Sequence, residues 1–331
     1  MIDHRRERSI KIGFRTDASD EQLRFIKQMG VTEVVTGRPA DDSGPVWNLE
    51  SLQKLKARIE GFGLSFSVVE TMVVPDRVKL GLPGRDEDIE NYCESIRNIG
   101  RTGVSVLAYN WMAGFSWLRT SVDMAVRGGA LSTAYNHQAM QELPKHELGE
   151  ISEEQLWEAI EYFLKAAVPA AAEVGVKLAL HPDDPPVGTV RGVARIMIHP
   201  DSFQRVLDLV PSPFNGLTFC QGCFGEMGAD IEGEIRRFGK QNKIFFVHFR
   251  NLTGDLHNFT ETFHDDGDID MYSTMKAYCD IGFSGPMRPD HAPTMEGESN
   301  DNPGYALQGR LFAVGYMKGL LEAIEKSGGN H

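Results

Sequence analysis

The chain has 331 residues, of which 41% are hydrophobic and 24% are charged. This is the composition of an ordinary globular protein, and the length is ample for a large buried core. The formal net charge of −13 argues against a surface that binds nucleic acid or an anionic membrane, because phosphate groups need clustered Lys and Arg. A small anionic substrate stays compatible with this charge, since it responds to local arginines.

The sequence also carries little sign of export or of a membrane location. Its four cysteines are too few for a disulfide framework. The basic residues near the start are not followed by an apolar segment of signal-peptide length, and no run of about 18 apolar residues occurs. We therefore expect a cytoplasmic protein that has no membrane span.

Short apolar runs alternate with longer amphipathic segments along the whole chain. The runs are rich in β-branched and aromatic residues and predict strands over 10–15, 33–37, 65–70, 104–110, 177–183, 216–222, 244–251 and 285–290. Helices are predicted between them, as in the segment SEEQLWEAIEYFLKAAVPAAAEVG. This alternation predicts an α/β fold, a (β/α)8 TIM barrel. The first strand lacks a following glycine-rich phosphate loop, which disfavours a dinucleotide-binding fold.

One connection is much longer than the others. It covers about 111–150, after the fourth predicted strand, and no change of composition marks a linker on either side. We predict a single barrel domain over 1–331, with this excursion as a lid or as an oligomer contact.

The last four predicted strands end in residues that can bind a metal. His181, Cys220, His248 and Asp290 stand at these ends. Because the active site of such a barrel lies at the C-terminal ends of its strands, we expect the four side chains to meet around one divalent ion. Residues two apart share a strand face, so polar side chains gather inside the last strands.

Some of these residues also have interpretations other than metal binding. A single histidine at a strand end is more often a hydrogen-bonded core residue than a ligand. The CxxC formed by Cys220 and Cys223 is also found in redox pairs and zinc sites, but no second CxxC accompanies it. The segment HDDGDID at 264–270 lacks the distal Glu of a calcium loop, and we interpret it as a loop and helix cap.

The donor set restricts the metal without selecting one. Two imidazoles, a thiolate and a carboxylate can hold Zn, Fe(II), Co, Ni or Mn. A working ion needs an open position for the substrate, which favours Mn²⁺ or Fe²⁺ over structural zinc.

Several motifs of the chain resemble the mannonate dehydratase family. They are LHPDDPP, GLTFCQG, VHFRN, HDDGDIDM, MRPDH and NPGY. The resemblance implies a sugar isomerase-like barrel that dehydrates D-mannonate to 2-keto-3-deoxy-D-gluconate with Mn(II) or a related ion, in a homo-oligomer of two or more copies. It places the metal ligands on the same four strand-end residues, proton transfer on His291 and Tyr305, and a site arginine on Arg288.

The chain departs from the usual pattern of this family at three places. Gly13-Phe14-Arg15-Thr16 replaces Arg-Trp-Tyr-Gly on the first strand, and 36–39 and 292–294 also differ. We expect the metal centre to be kept and the walls that recognise the sugar acid to differ.

A mechanism follows for such a substrate. His291 and Tyr305 would remove the C2 proton and protonate the departing 3-hydroxyl, in roles that stay open. Arg288 or Arg250 would pair with the substrate carboxylate. Further substrate-binding residues are predicted at Asp183, Asn110, Glu70 and Arg15. A metal-dependent isomerase or epimerase, and a sugar-acid binding protein without activity, are the alternatives.

Overall fold

We analysed a computed structural model of the chain, which describes residues 10–328. Its strands are β1 (Lys11–Arg15), β2 (Glu33–Thr36), β3 (Ser65–Glu70), β4 (Val106–Asn110), β5 (Ser121–Ala125), β6 (Leu131–Asn136), β7 (Lys177–His181), β8 (Thr189–Val190), β9 (Val193–Ala194), β10 (Asn215–Cys220), β11 (Ile244–Phe249), β12 (Leu252–Asp255), β13 (Asn258–Glu261) and β14 (Pro286–Pro289). Its α-helices are α1 (Asp20–Gln28), α2 (Leu49–Gly61), α3 (Asp76–Lys79), α4 (Arg85–Arg101), α5 (His137–Gln141), α6 (Glu153–Val174), α7 (Pro200–Leu209), α8 (Gln221–Glu226), α9 (Ile231–Lys240), α10 (Met271–Asp280) and α11 (Leu307–Gly328).

A closed barrel of parallel strands forms the centre of the molecule. The strand order around it is β1-β14-β11-β10-β7-β4-β3-β2. The predicted (β/α)8 barrel is therefore confirmed. The register places Cys220 of β10 opposite His248 of β11, and His248 opposite Arg288 of β14. These side chains consequently lie at one level of the barrel.

The interior of the barrel is packed with apolar side chains below this level. A cluster of buried residues fills it: Val35, Val68, Val106, Ala108, Ala179, Phe245 and Phe246. Val68, Ala179 and Phe246 each precede by two positions a polar residue on the same strand face. The inward faces thus change from an apolar core to polar groups at the strand ends.

Helix α6 packs around the barrel, and local sequence signals explain where it begins and ends. The Ser152 side chain accepts a hydrogen bond from the backbone N–H of Gln155 and caps the first turn. Gly175 ends the helix with a φ of 72°, in the left-handed region that favours glycine. The predicted helix therefore starts and stops where its capping residues indicate.

The strand predicted over 216–222 ends earlier in the structure. It stops at Cys220, because Gln221 opens α8, and Cys223 consequently lies in that helix. Close packing requires glycine at Gly222, where a Cβ atom would lie 1.9 Å from Nε of Arg250. The segment 264–270 precedes α10, and the Asp270 side chain caps that helix by accepting from the Ser273 N–H, as predicted.

The long excursion folds into an antiparallel sheet of its own. The order of this sheet is β12-β13-β6-β5, so strands from the excursion pair with strands that follow β11. A backbone bridge between Leu131 and Thr294 links it to the segment after β14. The excursion is thereby attached to the carboxyl ends of the barrel strands. Within residues 10–328, no helix combines the length and apolar character needed to span a bilayer.

Candidate active site

Four side chains with metal-ligand chemistry meet at the carboxyl ends of β7, β10, β11 and β14. Nε2 of His181 lies 3.1 Å from Nδ1 of His248. Sγ of Cys220 lies 3.7 Å from Oδ2 of Asp290, and that oxygen is 3.6 Å from Nδ1 of His248. The structure thus brings together all four residues that the strand ends predicted as ligands.

The spacing of these atoms suits a single divalent ion. Donor atoms held about 2.0–2.3 Å from one ion lie roughly 3–4 Å from one another, and the three distances given above fall in this range. The ligand atoms of His181, Cys220 and His248 all lie within 4.8 Å of one another, and Asp290 adjoins this group through Cys220 and His248. Nδ1 of His181 is 2.7 Å from the carbonyl oxygen of Pro182. In the neutral ring, the form that binds a metal, Nδ1 therefore carries the proton and the Nε2 lone pair faces the cluster. The residues therefore fit a metal bound through nitrogen, sulfur and oxygen.

The electrostatics of the cluster also favour a cation. Burial alone would raise both acidic pKa values. A hydrogen bond with Cys223, together with Arg250 and His181, nevertheless holds the pKa of Cys220 well below its usual range. His291 and Arg288 do the same for the pKa of Asp290. Burial opposes a charged His181, but the Cys220 thiolate and Asp290 raise its pKa to about 9. Two buried negative charges thus draw positive charge to the place where an ion would sit.

A buried carboxylate supports two of these groups from behind. Oε1 of Glu70 lies 3.2 Å from Nε2 of His248, the nitrogen that faces away from the cluster. Glu70 also accepts two hydrogen bonds from Arg288, of 2.8 and 2.6 Å. The remaining end of Arg288 donates to Oδ1 of Asp290 over 2.7 Å. Glu70 and Arg288 therefore orient His248 and Asp290, with the guanidinium already paired by carboxylates.

The two residues expected to transfer protons are in contact beside the cluster. Nε2 of His291 lies 3.1 Å from the phenol oxygen of Tyr305, and Nδ1 lies 2.7 Å from Oε1 of Glu261. The ring of Trp117 packs on His291 with the ring centres 4.7 Å apart. Burial and the Asp290 carboxylate raise the pKa of Tyr305 to about 12, so its phenol keeps its proton.

Glu261 belongs to a buried ionic network that sequence reasoning missed. Arg119 contributes hydrogen bonds of 2.5 Å to Glu261 and 2.6 Å to Asp184, and Thr133 donates to Glu261 as well. Burial would raise the pKa of Glu261, but Arg119, His291 and Arg250 lower it to about 2. Glu261 is therefore a carboxylate, and Nδ1 of His291 is a donor toward it.

Arg250 and Asp183 lie outside the cavity and are occupied by other protein groups. The fully buried Arg250 pairs with Asp184 at 2.8 Å and Glu261 at 3.0 Å, and it also contacts Glu226. Asp183 accepts from Arg195 and from the backbone N–H groups of 196 and 197. The geometry gives both residues structural partners and no opening toward a substrate.

Two further acidic clusters have ligand atoms at metal-binding distances. They are Asp184, Cys223 and Glu226, and Asp184, Glu261 and His291. Arg119 and Arg250 already reach into these clusters and neutralise their carboxylates. In the strand-end cluster, by contrast, His181, Cys220 and His248 face one another, and the guanidinium groups of Arg288 and Arg250 reach only the Asp290 carboxylate.

A cavity of about 610 Å³ opens above the cluster. The predicted site residues that line it are Arg15, Glu70, Asn110, His181, His248, Arg288, Asp290, His291 and Tyr305. Sequence reasoning missed Trp117, Gln22, Asn302 and Arg310, which also line it. Asn302 opens the NPGY motif, whereas no local signal marks the other three, whose role depends on where distant segments pack.

Comparison with known proteins agrees with this architecture. A model of the D-mannonate dehydratase (UxuA) family matches residues 11–151 and 146–331. The mannonate dehydratase of Thermotoga petrophila is 38% identical over 341 residues, covering 92% of this chain and 94% of the relative. The same values hold for a mannonate dehydratase of Thermotoga neapolitana.

Solved structures give the same picture. The crystal structure of mannonate dehydratase from Streptococcus suis serotype 2 superposes with a TM-score of 0.88 at 35% identity, covering 97% of this chain and 95% of the other. An L-ribulose 3-epimerase superposes with a TM-score of 0.62 at 14% identity, covering 97% of each chain, and shares the fold alone. With its barrel and the match along nearly its whole length, the chain belongs to the D-mannonate dehydratase family of hydro-lyases.

Proposed function

We propose that the protein dehydrates D-mannonate to 2-keto-3-deoxy-D-gluconate and water with the help of a divalent metal. The observation that carries this proposal is that the cluster of His181, Cys220, His248 and Asp290 lies beside the His291–Tyr305 pair. All of these residues except Cys220 line one cavity. The names of the relatives support D-mannonate as the substrate.

His181, Cys220, His248 and Asp290 would hold the metal, for which the donor set favours Mn²⁺ or Fe²⁺. When bound, the ion supplies Lewis-acid stabilisation to the negative charge that develops as the C2 proton leaves. Glu70 and Arg288 keep the ligands oriented, through the contacts of 3.2 and 2.7 Å described above.

The hydrogen bonds around His291 support one division of the two proton-transfer roles. Because Nδ1 donates to the Glu261 carboxylate, the neutral ring carries its lone pair on Nε2, which faces Tyr305. His291 is accordingly the base that removes the C2 proton. Tyr305, whose pKa of about 12 keeps it protonated, is the acid that protonates the departing 3-hydroxyl.

The protons balance over one turnover. The C2 proton passes to Nε2 of His291, and the Tyr305 proton leaves with the 3-hydroxyl as water. The 3.1 Å contact then returns a proton from His291 to the Tyr305 phenolate. The enol product becomes the 2-keto acid when its hydroxyl proton is replaced by a proton at C3.

The test is incubation of purified protein with D-mannonate and Mn(II) under reducing conditions. We expect a product lighter by one water that is identified as a 2-keto-3-deoxy acid. His291→Asn should keep the metal content and lose most turnover, about 100-fold or more. The exposed His257 lies outside the cavity, and His257→Asn should behave as the unchanged protein.

Failure of the metal-loaded protein to convert D-mannonate would contradict the proposal. A product with the mass of the substrate would instead identify an isomerase or epimerase that uses the same cluster. The cytoplasmic location and the homo-oligomer with a contact at 111–150 stay predictions; size measurement in solution tests the latter.

A further inference from the structure

Arg310 is a buried cation without an acidic partner. It lies in the first turns of α11, is 5% exposed and lines the cavity of the site. Its Nε donates to the Ala306 carbonyl and its Nη1 to the Arg15 carbonyl, at 3.2 and 2.8 Å. Among residues 10–328, no carboxylate oxygen lies within 4.0 Å of its guanidinium nitrogens. No acid in this part of the chain therefore contacts Arg310, and Glu298 acts on it only from a longer distance.

The surroundings of Arg310 concentrate positive charge. The half-buried Arg15 has no carboxylate within 4.0 Å either, among the same residues. Both guanidinium groups lie over the ring of Tyr305, with Cζ of Arg15 4.8 Å and Cζ of Arg310 5.7 Å from its centre. Burial lowers the pKa of Arg310 to about 10, and Arg288 and Arg15 add like charge.

The other buried arginines around the cavity differ from this pair. Arg119, Arg250 and Arg288 each contact at least two carboxylates at 3.0 Å or less. In a chain with a net charge of −13, a buried arginine that has no acid beside it is an exception. A buried charge is costly unless it is paired, and a ligand that enters the cavity can supply the missing negative charge.

We propose that Arg310 and Arg15 form an anion subsite that binds a carboxylate of the substrate. It replaces Arg288 and Arg250 as the partner of that carboxylate, because those two arginines are already paired. A guanidinium group favours the planar, two-oxygen geometry of a carboxylate. This inference rests on the proposed function for the identity of the sugar acid, although the subsite itself depends only on the charges of the cavity.

The carboxylate can come from either end of a six-carbon sugar acid. An aldonate such as D-mannonate carries it at C1, whereas an aldarate such as D-mannarate carries a second one at C6. The chemistry recognised by the arginines is the same, so comparison of the two acids distinguishes the sources.

The experiment measures KM, kcat and calorimetric affinity for D-mannonate and D-mannarate with Mn(II)-loaded protein. Arg310→Gln and Arg15→Gln should each raise KM and the dissociation constant about tenfold or more, with a smaller change in kcat. The constants of Arg310→Lys should lie between those of the unchanged protein and those of Arg310→Gln. The matched control is Arg205→Gln, which removes an arginine that stacks on Trp157 outside the cavity and should change neither constant.

The outcomes separate the subsite from the activity. An effect on both acids places C1 at the arginines, and an effect on D-mannarate alone places C6 there. Unchanged affinity for both acids in Arg310→Gln and Arg15→Gln would overturn the subsite. If the unchanged protein binds these acids through the arginines but releases no water from them, the proposed function fails and the subsite stands. Because Arg15 is half-buried, Arg15→Gln keeps the test valid if Arg310→Gln does not fold.

Discussion

His291 is held from two sides by partners with different chemistry. Its Nδ1 meets the buried Glu261 carboxylate at 2.7 Å, and its Nε2 meets the Tyr305 phenol at 3.1 Å. A carboxylate only accepts, so it determines which ring nitrogen carries the proton of the neutral form. The residue that we propose as the base therefore depends on Glu261, which does not line the cavity.

Replacement of Glu261 by Gln tests this dependence. The Gln amide can donate as well as accept, so it no longer restricts the proton to Nδ1, and His291 loses its fixed tautomer. We expect kcat to fall about 10- to 100-fold while KM changes little, since Glu261 does not line the cavity. Steady-state kinetics with D-mannonate, alongside measurement of bound metal, checks the split between the two constants.

Glu226 provides the control for this change. It is a buried acid that also contacts Arg250, but it has no contact with His291. Burial and Asp184 raise the pKa of Glu226 well above its usual value, so an amide resembles its neutral form. Equal losses of kcat in Glu226→Gln and Glu261→Gln would mean that both act through stability of the network.

At the scale of elements, the antiparallel sheet joins two connections that are distant in sequence. Asn136 of β6 pairs with Asn258 of β13, and β13 ends at Glu261. The same excursion supplies Arg119 and Thr133, which both donate to that carboxylate. The sheet therefore places the partner of His291, and the barrel strands place the ligands.

The barrel and the meeting of the four strand-end side chains could be predicted because their signals are local. Each strand is a short apolar run, and each of the four residues stands at the end of its own run. The antiparallel sheet could not, since its strands are short and pair across the chain. Likewise, nothing near Arg288 in sequence reveals its ion pair with Glu70. For this reason the sequence suggested Arg288 as a partner of the substrate carboxylate.

The segment after β13 is attached to the barrel by a buried histidine. Nε2 of His264 donates to the carbonyl of Phe249 at the end of β11, over 2.7 Å, while its Nδ1 is buried without a partner. Burial lowers the pKa of His264 from 6.5 to about 4. The folded protein thus keeps this ring neutral where the unfolded chain would protonate it.

The pH dependence of stability should reflect this shift. Between pH 6.5 and about 4, the unfolded chain binds the proton and the folded state does not. The free energy of unfolding therefore decreases as the pH is lowered through this range, by up to about 3 kcal/mol. Above pH 6.5 both states are neutral and the contribution is constant. Urea unfolding of His264→Gln against the unchanged protein isolates it, and equal pH slopes would contradict the assignment.

The whole molecule carries a net charge of −13, and the buried side chains of Cys220 and Asp290 meet at the barrel mouth. Cys220 and Asp290 are both anionic there and are neutralised by a proton on His181 and by nearby arginines. A divalent ion held by the folded state alone would therefore stabilise the entire barrel.

Removal of the metal should lower the thermal stability of the whole protein. At Mn(II) about 100-fold above its dissociation constant, the gain is about 3 kcal/mol, which corresponds to roughly 3–5 °C in Tm. Thermal unfolding with chelator and with added Mn(II) measures this difference. His181→Ala should lose this difference in Tm. The control Cys279→Ser, which changes a half-buried cysteine outside the cluster, should keep it. A difference that persists in His181→Ala would place the ion elsewhere.

The pairing of β6 with β13 has a practical consequence for anyone who wishes to recombine this barrel with a relative. If only one of the two connections were exchanged, β6 or β13 would have to pair with a strand of different sequence. The two loops form one module despite their separation along the gene, and chimaeras should exchange them together.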